Sequence, residues 1–566
     1  MQILSPEQMK QTEERSEELG VTKKKLMENA GTALAGIIDE YCRSEIEGQP
    51  EEKSVVFLTG SGNNGGDCFV AADKLVYRGY DVTVINLCGR PQSELAASAF
   101  EKLPRNHMKI IKGYRSENVK AAIEAAELDY MTLSQENDLN TLSEKKELTP
   151  LEKIRLEEKH RIDRVVKALE DADVIADGIF GTGFHGQLDE EIAAFLSAGD
   201  KAYRIAVDVP SGGNCTTGEV SEGTFNADET VAFGALKTGM TQYPLKAYCG
   251  KIRIADIGIP AEAYTIPDGE REYSLTDSYS LAGFPVDRNP DSHKGDYGRL
   301  FAIAGSSRMR GAAALATMGA LRSGVGLMCL ASGEECINTV AQHAPESFYL
   351  PLETDDYGFV LFDSNKRMIE HEMKKANAIL LGSGMGVTND TLELVRFVVE
   401  KAECPIIIDA DGINCIASDI DILLKKKTDI ILTPHMGEMA RLLDKTPDEI
   451  KENRFAAAAE FAEKHNVTVV LKGPGTIIAD ASCTSINITG NAGMARGGSG
   501  DVLAGIIAAL ATQGYAPYDA ARYGVYVHGL AGDIAAERLG FEAMLPRDII
   551  DCLSDSYRMI KDMDKK

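Results

Sequence analysis

Polar side chains with oxygen atoms follow three short apolar segments in the first half of the chain. These residues are Asn64, Asp67, Asp177, Asp208 and Ser211. Carboxylate, amide and hydroxyl oxygens are hard ligands, and Asn64, Asp177 and Ser211 together suit an alkali or alkaline-earth cation better than zinc. A carboxylate in such a site can also donate or accept a proton, and the sequence leaves Asp67 and Asp208 as equal candidates for that task.

A second group of reactive residues lies near the C-terminus. Residues 493–501 are rich in glycine and precede an apolar helix at 502–507, with Asp501 in its first turn. Unhindered glycine N–H groups at the start of a helix form an anion hole for a transferring phosphoryl group. Asp501 is then placed to accept a proton from an attacking hydroxyl group. Because the sequence contains no G-x-x-x-x-G-K-[ST] motif, we exclude a Walker-type phosphate loop.

Other segments at predicted strand ends belong with this second group. Lys472 is followed by small residues up to Thr476, which suits a nucleotide phosphate or the edge of an adenine ring. His435 lies between a strand-ending proline and a glycine, so we expect it to point into the same cleft. The acidic loop 409–414 suits magnesium or the orientation of polar groups. His528, on a helix, is expected to be structural.

The stretch 60–65 formally matches the G-x-G-x-x-G fingerprint of a dinucleotide site. That site needs an acidic residue about 20 positions later, near the end of the second strand, to bind the ribose. Residues 86–89 are Asn, Leu, Cys and Gly, so no carboxylate stands there. We therefore reject a dinucleotide site of this type, because the loop instead continues into Gly66 and Asp67 and combines two amides with a carboxylate.

Alternating strands and helices must position both groups of residues. The apolar runs that predict strands are 55–59, 82–87, 174–176, 204–207, 300–304, 378–381, 405–408, 430–433 and 467–471. The segments between them have helical spacing. This alternation predicts an α/β protein with two doubly wound domains, the first on a parallel sheet, in which ligands bind at the carboxyl ends of the strands.

Changes in composition mark the domain limits. Residues 265–296 are rich in Pro, Gly, Asp and Ser, which predicts a linker between a first domain at 1–275 and a second domain at 276–566. The motifs of the two halves differ, which indicates a fusion of two domains. Residues 128–164 are rich in Glu, Lys, Gln and Asn, so we expect an exposed helical insertion with a solvated face, and less readily a partner-binding segment.

The overall composition limits the function classes. The chain has 566 residues and a net charge of -27, so its surface repels nucleic acid and anionic lipid. Eleven scattered cysteines without a C-x-x-C motif indicate reduced thiols rather than a disulfide framework or a zinc site. With no signal peptide and no apolar run of about 18 residues, we expect a cytoplasmic protein that binds neither membrane nor nucleic acid. We also expect a homo-oligomer.

Four segments of the first half resemble the motifs of the NAD(P)H-hydrate epimerase family: 26–31, 62–67, 177–183 and 208–212. The resemblance implies a potassium ion held by Asn64, Asp177 and Ser211. It also implies that the hydrated cofactor is contacted by Asn63, Asn64, Gly65, Gly66, Asp67, Gly181, Thr182, Gly183, Phe184, His185, Gly186, Gln187 and Asp208. Cys68 stands where the family usually has glycine, and the insertion at 128–164 is longer than the family leads us to expect.

Five segments of the second half resemble the ribokinase-like superfamily, and more narrowly its ADP- or ATP-dependent NAD(P)H-hydrate dehydratase branch: 294–295, 303–306, 320–326, 382–386 and 496–501. This resemblance implies that the hydrate is contacted by Ala320, Gly384, His435 and Asp501. It implies that the nucleotide is contacted by Lys472, Gly473, Pro474, Gly475, Thr476 and Gly500. Residues 345–349 are less apolar than is usual for the family.

Together the resemblances imply a Rossmann-like first domain, a ribokinase-like second domain and the repair of hydrated NADH and NADPH. The first domain would epimerise the R and S hydrates. The second would dehydrate the S hydrate with ADP or ATP as co-substrate, ADP being converted to AMP and phosphate, and the implied ions are K⁺ and Mg²⁺. The alternative is a ribokinase-like small-molecule kinase, which keeps its phosphorylated product, attached to a non-catalytic N-terminal binding module.

Overall fold

The computed structural model describes residues 3–115, 149–266, 271–276, 279–281 and 283–563. The chain divides into two compact units, and the division falls at residues 267 and 268. Each unit is built on one large β-sheet with intervening helices, so the predicted α/β class with two domains is confirmed. Within these described ranges, no helix is both long and apolar enough to cross a membrane.

The first unit contains nine strands and seven α-helices among its described residues. The strands are β1 (Ile3–Leu4), β2 (Ser54–Thr59), β3 (Asp81–Asn86), β4 (Lys109–Lys112), β5 (Val174–Gly178), β6 (Tyr203–Val207), β7 (Glu229–Phe233), β8 (Leu236–Lys237) and β9 (Lys251–Ala255). The helices are α1 (Pro6–Glu18), α2 (Lys23–Glu45), α3 (Asn63–Tyr77), α4 (Glu94–Glu101), α5 (Pro150–Glu170), α6 (Glu190–Leu196) and α7 (Leu245–Tyr248).

The main sheet of the first unit is parallel throughout, with the order β4-β3-β2-β5-β6-β7-β9. Its two faces contribute to different cores, since Val55 and Phe57 of β2 belong to one buried cluster and Val56 and Leu58 to the other. A strand that is buried on both faces has no polar alternation, which is why β2 and β5 read as continuous apolar runs in the sequence. This sheet places the ends of β2, β5 and β6 side by side.

The start of α1 is fixed by its own sequence. The Ser5 side chain accepts a hydrogen bond of 3.1 Å from the backbone N–H of Gln8, and the backbone N–H of Ser5 donates one of 3.1 Å to the Gln8 side chain. Pro6 occupies the first helical position, where its missing N–H has no helical partner to lose. The helix buries Met9 and carries Glu13 one turn further on the same face.

The charged insertion differs from its prediction where it is described. Residues 128–148 lie outside the described residues, and α5 covers the rest. Its side chains Ile162, Val165 and Leu169 are buried in the core. Glu158 and Arg161 are also buried and form an ion pair of 2.7 Å. The helix also keeps the predicted solvated face, since Lys153, Glu157, His160 and Arg164 are exposed, and the buried face is what the prediction did not include.

The second unit contains ten strands and eleven α-helices among its described residues. The strands are β10 (Glu272–Thr276), β11 (Arg299–Ile303), β12 (Leu327–Gly333), β13 (Phe348–Leu352), β14 (Ala378–Leu381), β15 (Ile406–Ile408), β16 (Ile430–Leu432), β17 (Thr468–Leu471), β18 (Thr476–Ala479) and β19 (Cys483–Asn487). The helices are α8 (Arg310–Arg322), α9 (Glu334–Val340), α10 (Phe362–Met373), α11 (Asn389–Lys401), α12 (Asp411–Ala417), α13 (Met436–Leu443), α14 (Pro447–Glu452), α15 (Arg454–His465), α16 (Ser499–Thr512), α17 (Pro517–Leu539) and α18 (Pro546–Met563).

The second sheet is mixed, with the order β10-β19-β18-β17-β16-β15-β14-β11-β12-β13. Only β18 runs against its neighbours, since it pairs antiparallel with β17 and with β19. The predicted α/β class therefore holds for this unit, whose sheet has one antiparallel strand near this end. Helix α16 is buried along almost its whole length and packs against α8, so its apolar residues fill the centre of the unit.

The predicted linker and domain boundary also need correction. Strand β10 pairs in parallel register with β19, with Leu275 opposite Ile486, so this segment belongs to the second sheet. The predicted boundary at 275/276 falls inside β10, and the linker cannot extend over 265–296. The short strand was hidden because its residues are mostly polar, and its place in the sheet depends on pairing with a strand about 200 residues away.

Candidate functional sites

A cavity of about 680 Å³ lies among the loops that follow β2, β5 and β6 in the first unit. Ten of the residues implied to contact the hydrate line it: Asn63, Asn64, Asp67, Gly181, Thr182, Gly183, Phe184, His185, Gln187 and Asp208. The sheet therefore brings segments that are far apart in the sequence to one site, as expected for the carboxyl ends of parallel strands.

Three implied contact residues are not among the described residues that line this cavity: Gly65, Gly66 and Gly186. A Cβ at position 65 would lie 2.5 Å from the Gly60 carbonyl oxygen, and one at position 66 would lie 2.5 Å from Cε of Met27. These two glycines are needed for close packing at the start of α3. Their absent side chains serve the shape of the loop rather than contact with a ligand.

Three buried oxygen-bearing side chains meet beneath the cavity. The Asn64 amide nitrogen donates hydrogen bonds to the carbonyl oxygens of Phe180 at 2.9 Å and Val207 at 3.0 Å. The Ser211 hydroxyl accepts a hydrogen bond of 2.9 Å from the Phe180 N–H and donates one of 2.7 Å to Asp177. Asn64 Oδ1 is buried and has no hydrogen-bond partner in the described structure. A buried oxygen without a donor fits a cation, which needs oxygen ligands and no hydrogen.

Asp177 supplies the negative charge of this cluster. Its side chain is fully buried, and its second oxygen accepts a hydrogen bond of 2.8 Å from the backbone N–H of Ser211. Burial raises the pKa of Asp177 to about 6, although the hydrogen bonds from Ser211 and Ile179 act in the opposite direction. The donor set of carboxylate, hydroxyl and amide oxygens therefore suits an alkali or alkaline-earth cation, as the sequence indicates.

Asp208 is held in an unusual backbone conformation on the cavity wall. Its φ of 65° is in the left-handed region, which a non-glycine residue rarely adopts. The carboxylate accepts a hydrogen bond of 3.0 Å from the Phe233 N–H and a short one from the Lys237 ammonium group. Lys237 is almost completely buried and also donates to the Phe233 carbonyl oxygen at 3.0 Å. The lysine fixes the direction of the Asp208 carboxylate.

Asp67 faces the same cavity with a different protonation preference. Burial raises its pKa well above the usual range, and the negative charges of Asp208 and Glu13 act in the same direction. Burial also raises the pKa of Glu13, with Asp208 as the next cause. The cavity thus holds a carboxyl group whose pKa is raised beside a carboxylate that is paired with lysine. Such a pair can give and take a proton in one reaction.

The second site is the start of α16. Gly498 precedes the helix with a φ of 105°, and a Cβ at Gly497 would have no neighbour within 4 Å. Asp501 is half-buried in the first turn. Burial raises the pKa of Asp501 to about 6, the charge of Asp409 acts in the same direction, and Ser383 and Lys472 oppose it. An open glycine segment and the carboxyl group of Asp501 therefore lie together at the N-terminus of α16.

Lys472 lies next to this helix start, at the turn between β17 and β18. A Cβ at Gly500 would lie 3.2 Å from the Lys472 ammonium nitrogen. The same nitrogen is 2.7 Å from Oδ1 of Asp409, which lies just after β15. Gly473 and Gly475 have φ values of 154° and 66°, so the turn itself depends on glycine. The structure thus joins the lysine segment, the acidic loop and the glycine-rich helix start.

Three other predicted residues have mixed outcomes. The His435 ring accepts hydrogen bonds from the backbone N–H groups of Gly437 at 3.0 Å and Glu438 at 3.3 Å, so it caps α13, and its Nε2 lies 3.4 Å from Oε1 of Glu438. Gly384 is at a strand end, where a Cβ would lie 2.8 Å from Cβ of Met309. Ala320 is fully buried where α8 packs against α16, and its contact with the hydrate stays a prediction.

Of the two roles predicted for the loop 409–414, the structure favours the orientation of polar groups. Asp411 accepts a hydrogen bond of 2.8 Å from the Gly386 N–H, and Asp409 is bonded to Lys472. Across the described residues, no group of three or more His, Cys, Asp or Glu side chains is suited to hold a metal ion. The expected structural role of His528 fits its burial in α17, which lowers its pKa to about 4.

Comparison with known proteins gives a consistent result for both units. Residues 23–239 match the family model described as YjeF-related protein N-terminus, and residues 300–555 match the model described as NAD(P)H-hydrate dehydratase. The chain is 34% identical over 540 residues to the bifunctional NAD(P)H-hydrate repair enzyme of Moorella thermoacetica, which covers 95% of this chain and 93% of that protein. The chain belongs to the bifunctional NAD(P)H-hydrate repair enzyme family.

Further members of this repair enzyme family are similar over the same length. The protein of Thermofilum pendens is 34% identical, with 97% of this chain and 94% of that protein covered. The protein of Escherichia coli is 31% identical, with 95% and 90% covered. Among solved structures, the ADP/ATP-dependent NAD(P)H-hydrate dehydratase of Bacillus subtilis, crystallised with ATP and Mg²⁺, is 28% identical with a TM-score of 0.44, covering 51% of this chain and 98% of its own.

Membership in the repair enzyme family confirms the predicted two-part enzyme, with an epimerase half followed by a dehydratase half.

The sequence analysis did not identify two residues that line the cavity of the first unit. Lys237 is a charged residue within an otherwise apolar segment after β7, which is a signal that could have been noticed. Glu13 lies four positions after Met9 on one face of α1, and both line the cavity, but the sequence shows only an ordinary amphipathic helix.

Proposed function

We propose that the first unit interconverts the R and S hydrates of NADH and NADPH, and that the second unit dehydrates the S hydrate. ADP is the proposed co-substrate and is converted to AMP and phosphate. The observation that carries this proposal is the coincidence of Asp501, the Lys472 ammonium group and an open glycine segment at the start of α16. Family membership supports the same pair of activities.

Dehydration begins with transfer of a phosphoryl group. Asp501 accepts the proton of the ring hydroxyl group, whose oxygen forms a bond to the terminal phosphorus of the nucleotide. The bond between that phosphorus and the bridging oxygen breaks, and its electron pair leaves with AMP. The carbon–oxygen bond of the phosphorylated hydrate then breaks, and its electrons leave with phosphate while the ring nitrogen donates its pair. Loss of a proton from the neighbouring carbon restores the dihydropyridine ring.

Positive charge near Asp501 makes this transfer possible. Charge accumulates on the transferring oxygens, where the N–H groups of residues 497–500 and the Lys472 ammonium group stabilise it. We propose that Lys472, Gly473, Pro474, Gly475, Thr476 and Gly500 bind the nucleotide. We propose that Gly384, His435 and Asp501 face the hydrate.

Epimerisation uses the two carboxyl groups of the first cavity. Asp67 retains a proton because burial and neighbouring carboxylates raise its pKa, so we assign it the proton donor to the departing hydroxyl group. Water leaves, and the ring nitrogen donates its electron pair to the carbon. Asp208 then accepts the proton of a water molecule that adds to either face of the ring. The ion pair with Lys237 holds the Asp208 carboxylate in place for that step.

We propose that Asn64, Asp177 and Ser211 bind K⁺, which fits the buried Asn64 oxygen that has no hydrogen-bond partner in the described structure. A potassium ion held there would supply a fixed positive charge beside the cavity. Mg²⁺ usually binds through substrate phosphates together with one or two carboxylates, so we propose that it enters the second unit with the nucleotide. A cytoplasmic location and a homo-oligomeric state stay predictions from the sequence.

The test follows cofactor recovery from a mixture of hydrate epimers. The unaltered chain is incubated with each nucleotide in turn, and absorbance of the reduced cofactor is recorded. We expect full conversion of both epimers with ADP, because epimerisation feeds the S hydrate to dehydration. Asp501→Asn should abolish the nucleotide-coupled recovery and leave epimerisation intact. A stable phosphorylated product that never releases phosphate would favour the small-molecule kinase instead.

A further inference from the structure

A buried carboxylate lies behind the nucleotide site of the second unit. Asp409 is 1% exposed and follows β15 directly. Its Oδ1 accepts a hydrogen bond of 2.7 Å from the Thr433 hydroxyl group and one of 2.7 Å from the Lys472 ammonium group. The Ser383 hydroxyl group lies 3.4 Å from its Oδ2. The two donors to Oδ1 follow different strands, Thr433 after β16 and Lys472 after β17. The order of the strands in the sheet therefore fixes the position of the carboxylate.

The lysine that it binds is directed at the start of α16. The Lys472 ammonium nitrogen lies 3.2 Å from the position that a Cβ of Gly500 would occupy. Its charge also lowers the pKa of Asp501, which places the two groups in one electrostatic site. Glu438 is 3.9 Å from the same ammonium group, so Asp409 is the nearer of its two acidic neighbours.

A lysine cannot hold such a position without a partner. Its four-carbon chain has many rotamers, and an ammonium group that leaves water tends to lose its proton. Lys472 is only 17% exposed, so both effects apply to it. A fixed carboxylate at 2.7 Å restricts the chain and favours the charged form.

We propose that Asp409 is a positioning residue for phosphoryl transfer, because it holds the Lys472 ammonium group against the first turn of α16, where the transferred group of the nucleotide is stabilised. The inference rests on the proposed function of the second unit. Asp409 itself does not touch the substrate. Its effect passes through Lys472, which distinguishes it from Asp501, the group that accepts the proton.

A double-mutant cycle tests this role. Asp409→Asn, Lys472→Met and the double variant are assayed for dehydration of purified S hydrate with ADP. Since a misplacement of about 1 Å can cost roughly 100-fold in rate, we expect Asp409→Asn to lower kcat by about that factor, with KM for the hydrate unchanged. Lys472→Met should have a similar effect, and the double variant should be no slower than Lys472→Met alone.

Controls separate this role from a general loss of structure. Asp419→Asn makes the same chemical change at a half-buried residue that pairs with Arg396, and its kcat should equal that of the unaltered chain. Thermal unfolding is measured for every variant. If Asp409→Asn does not fold, Asp409→Glu retains the charge while displacing the ammonium group, and it should fold and show a lowered kcat.

Two results would overturn the inference. One is a kcat in Asp409→Asn or Asp409→Glu equal to that of the unaltered chain. The other is a double variant whose loss equals the product of the two single losses, since independent effects exclude action through Lys472. Both results leave the proposed function standing, because the unaltered chain still dehydrates the hydrate. Absence of nucleotide-coupled dehydration by the unaltered chain would instead refute the proposed function, and this role with it.

Discussion

The Ser211 hydroxyl group donates a hydrogen bond of 2.7 Å to Oδ1 of Asp177, and both side chains are buried beneath the cavity of the first unit. If these oxygens bind K⁺ together with Asn64, removal of the hydroxyl group should weaken the ion. We expect Ser211→Ala to epimerise slowly and to lose most of its response to potassium. Interconversion of separated hydrate epimers is measured in KCl and in choline chloride at equal ionic strength.

The second unit provides the control for this experiment. Dehydration of purified S hydrate by Ser211→Ala should match that of the unaltered chain, because the substitution lies in the other compact unit. A Ser211→Ala protein that responds fully to potassium would contradict the proposed ion site.

Lys237→Met should disable the epimerase. The substitution removes the buried cation that holds the Asp208 carboxylate on the cavity wall, so the carboxylate loses its fixed position. General acid–base catalysis contributes roughly 100- to 10,000-fold, so we expect a loss of that order in the rate of epimer interconversion. Lys201→Met, at an exposed lysine of the same unit, is the matched control. Epimerisation at the normal rate in Lys237→Met would remove Asp208 from the mechanism.

Local sequence accounts for most of the fold and for the chemistry at strand ends. The long apolar runs of β2, β5 and β14 predict strands because a strand buried on both faces admits few polar residues. Glycine density and one acidic residue were sufficient to locate the start of α16. These signals lie within a few residues of one another, so no knowledge of the tertiary structure is needed to read them.

Contacts between distant segments could not be predicted in the same way. The partner of Lys472 is Asp409, 63 positions earlier, and the partner of Lys237 is Asp208, 29 positions earlier. Each of these residues looks like an ordinary polar residue near a strand end until the sheet order is known. The contact of Ala320 with the hydrate, which only a family motif implies, stays a prediction, since Ala320 is fully buried at the interface of α8 and α16.

The dehydratase should lose activity in acid because Asp501 must be ionised to accept a proton. Burial and the charge of Asp409 raise the pKa of Asp501 to about 6. We therefore expect kcat/KM to rise about tenfold per pH unit below pH 6 and to level off above it. An inflection near pH 4, as in an ordinary aspartate, would contradict the assignment.

The same pKa shift predicts an effect on stability with a definite sign. The pKa of Asp501 is higher in the folded protein than in the unfolded chain, so the fold favours the protonated form. Its contribution is present at low pH and is lost as the pH rises through about 6. Asp501→Asn removes this ionisation, so the variant should gain thermal stability relative to the unaltered chain at pH 8 and gain none at pH 4.

Gly500→Ala should impair dehydration without unfolding the protein. The new Cβ would lie 3.2 Å from the Lys472 ammonium nitrogen, which Asp409 holds in place, so either the lysine or the start of α16 must shift. Alanine is also a better helix former than glycine, so stability should not fall. We expect kcat to drop at least about tenfold, because phosphoryl transfer depends on positioning. Gly311→Ala, where a Cβ meets nothing within 4 Å, is the matched control and should retain full activity. Equal dehydration by the two variants would show that the first turn of α16 tolerates displacement of Lys472, and the phosphoryl site would have to lie elsewhere.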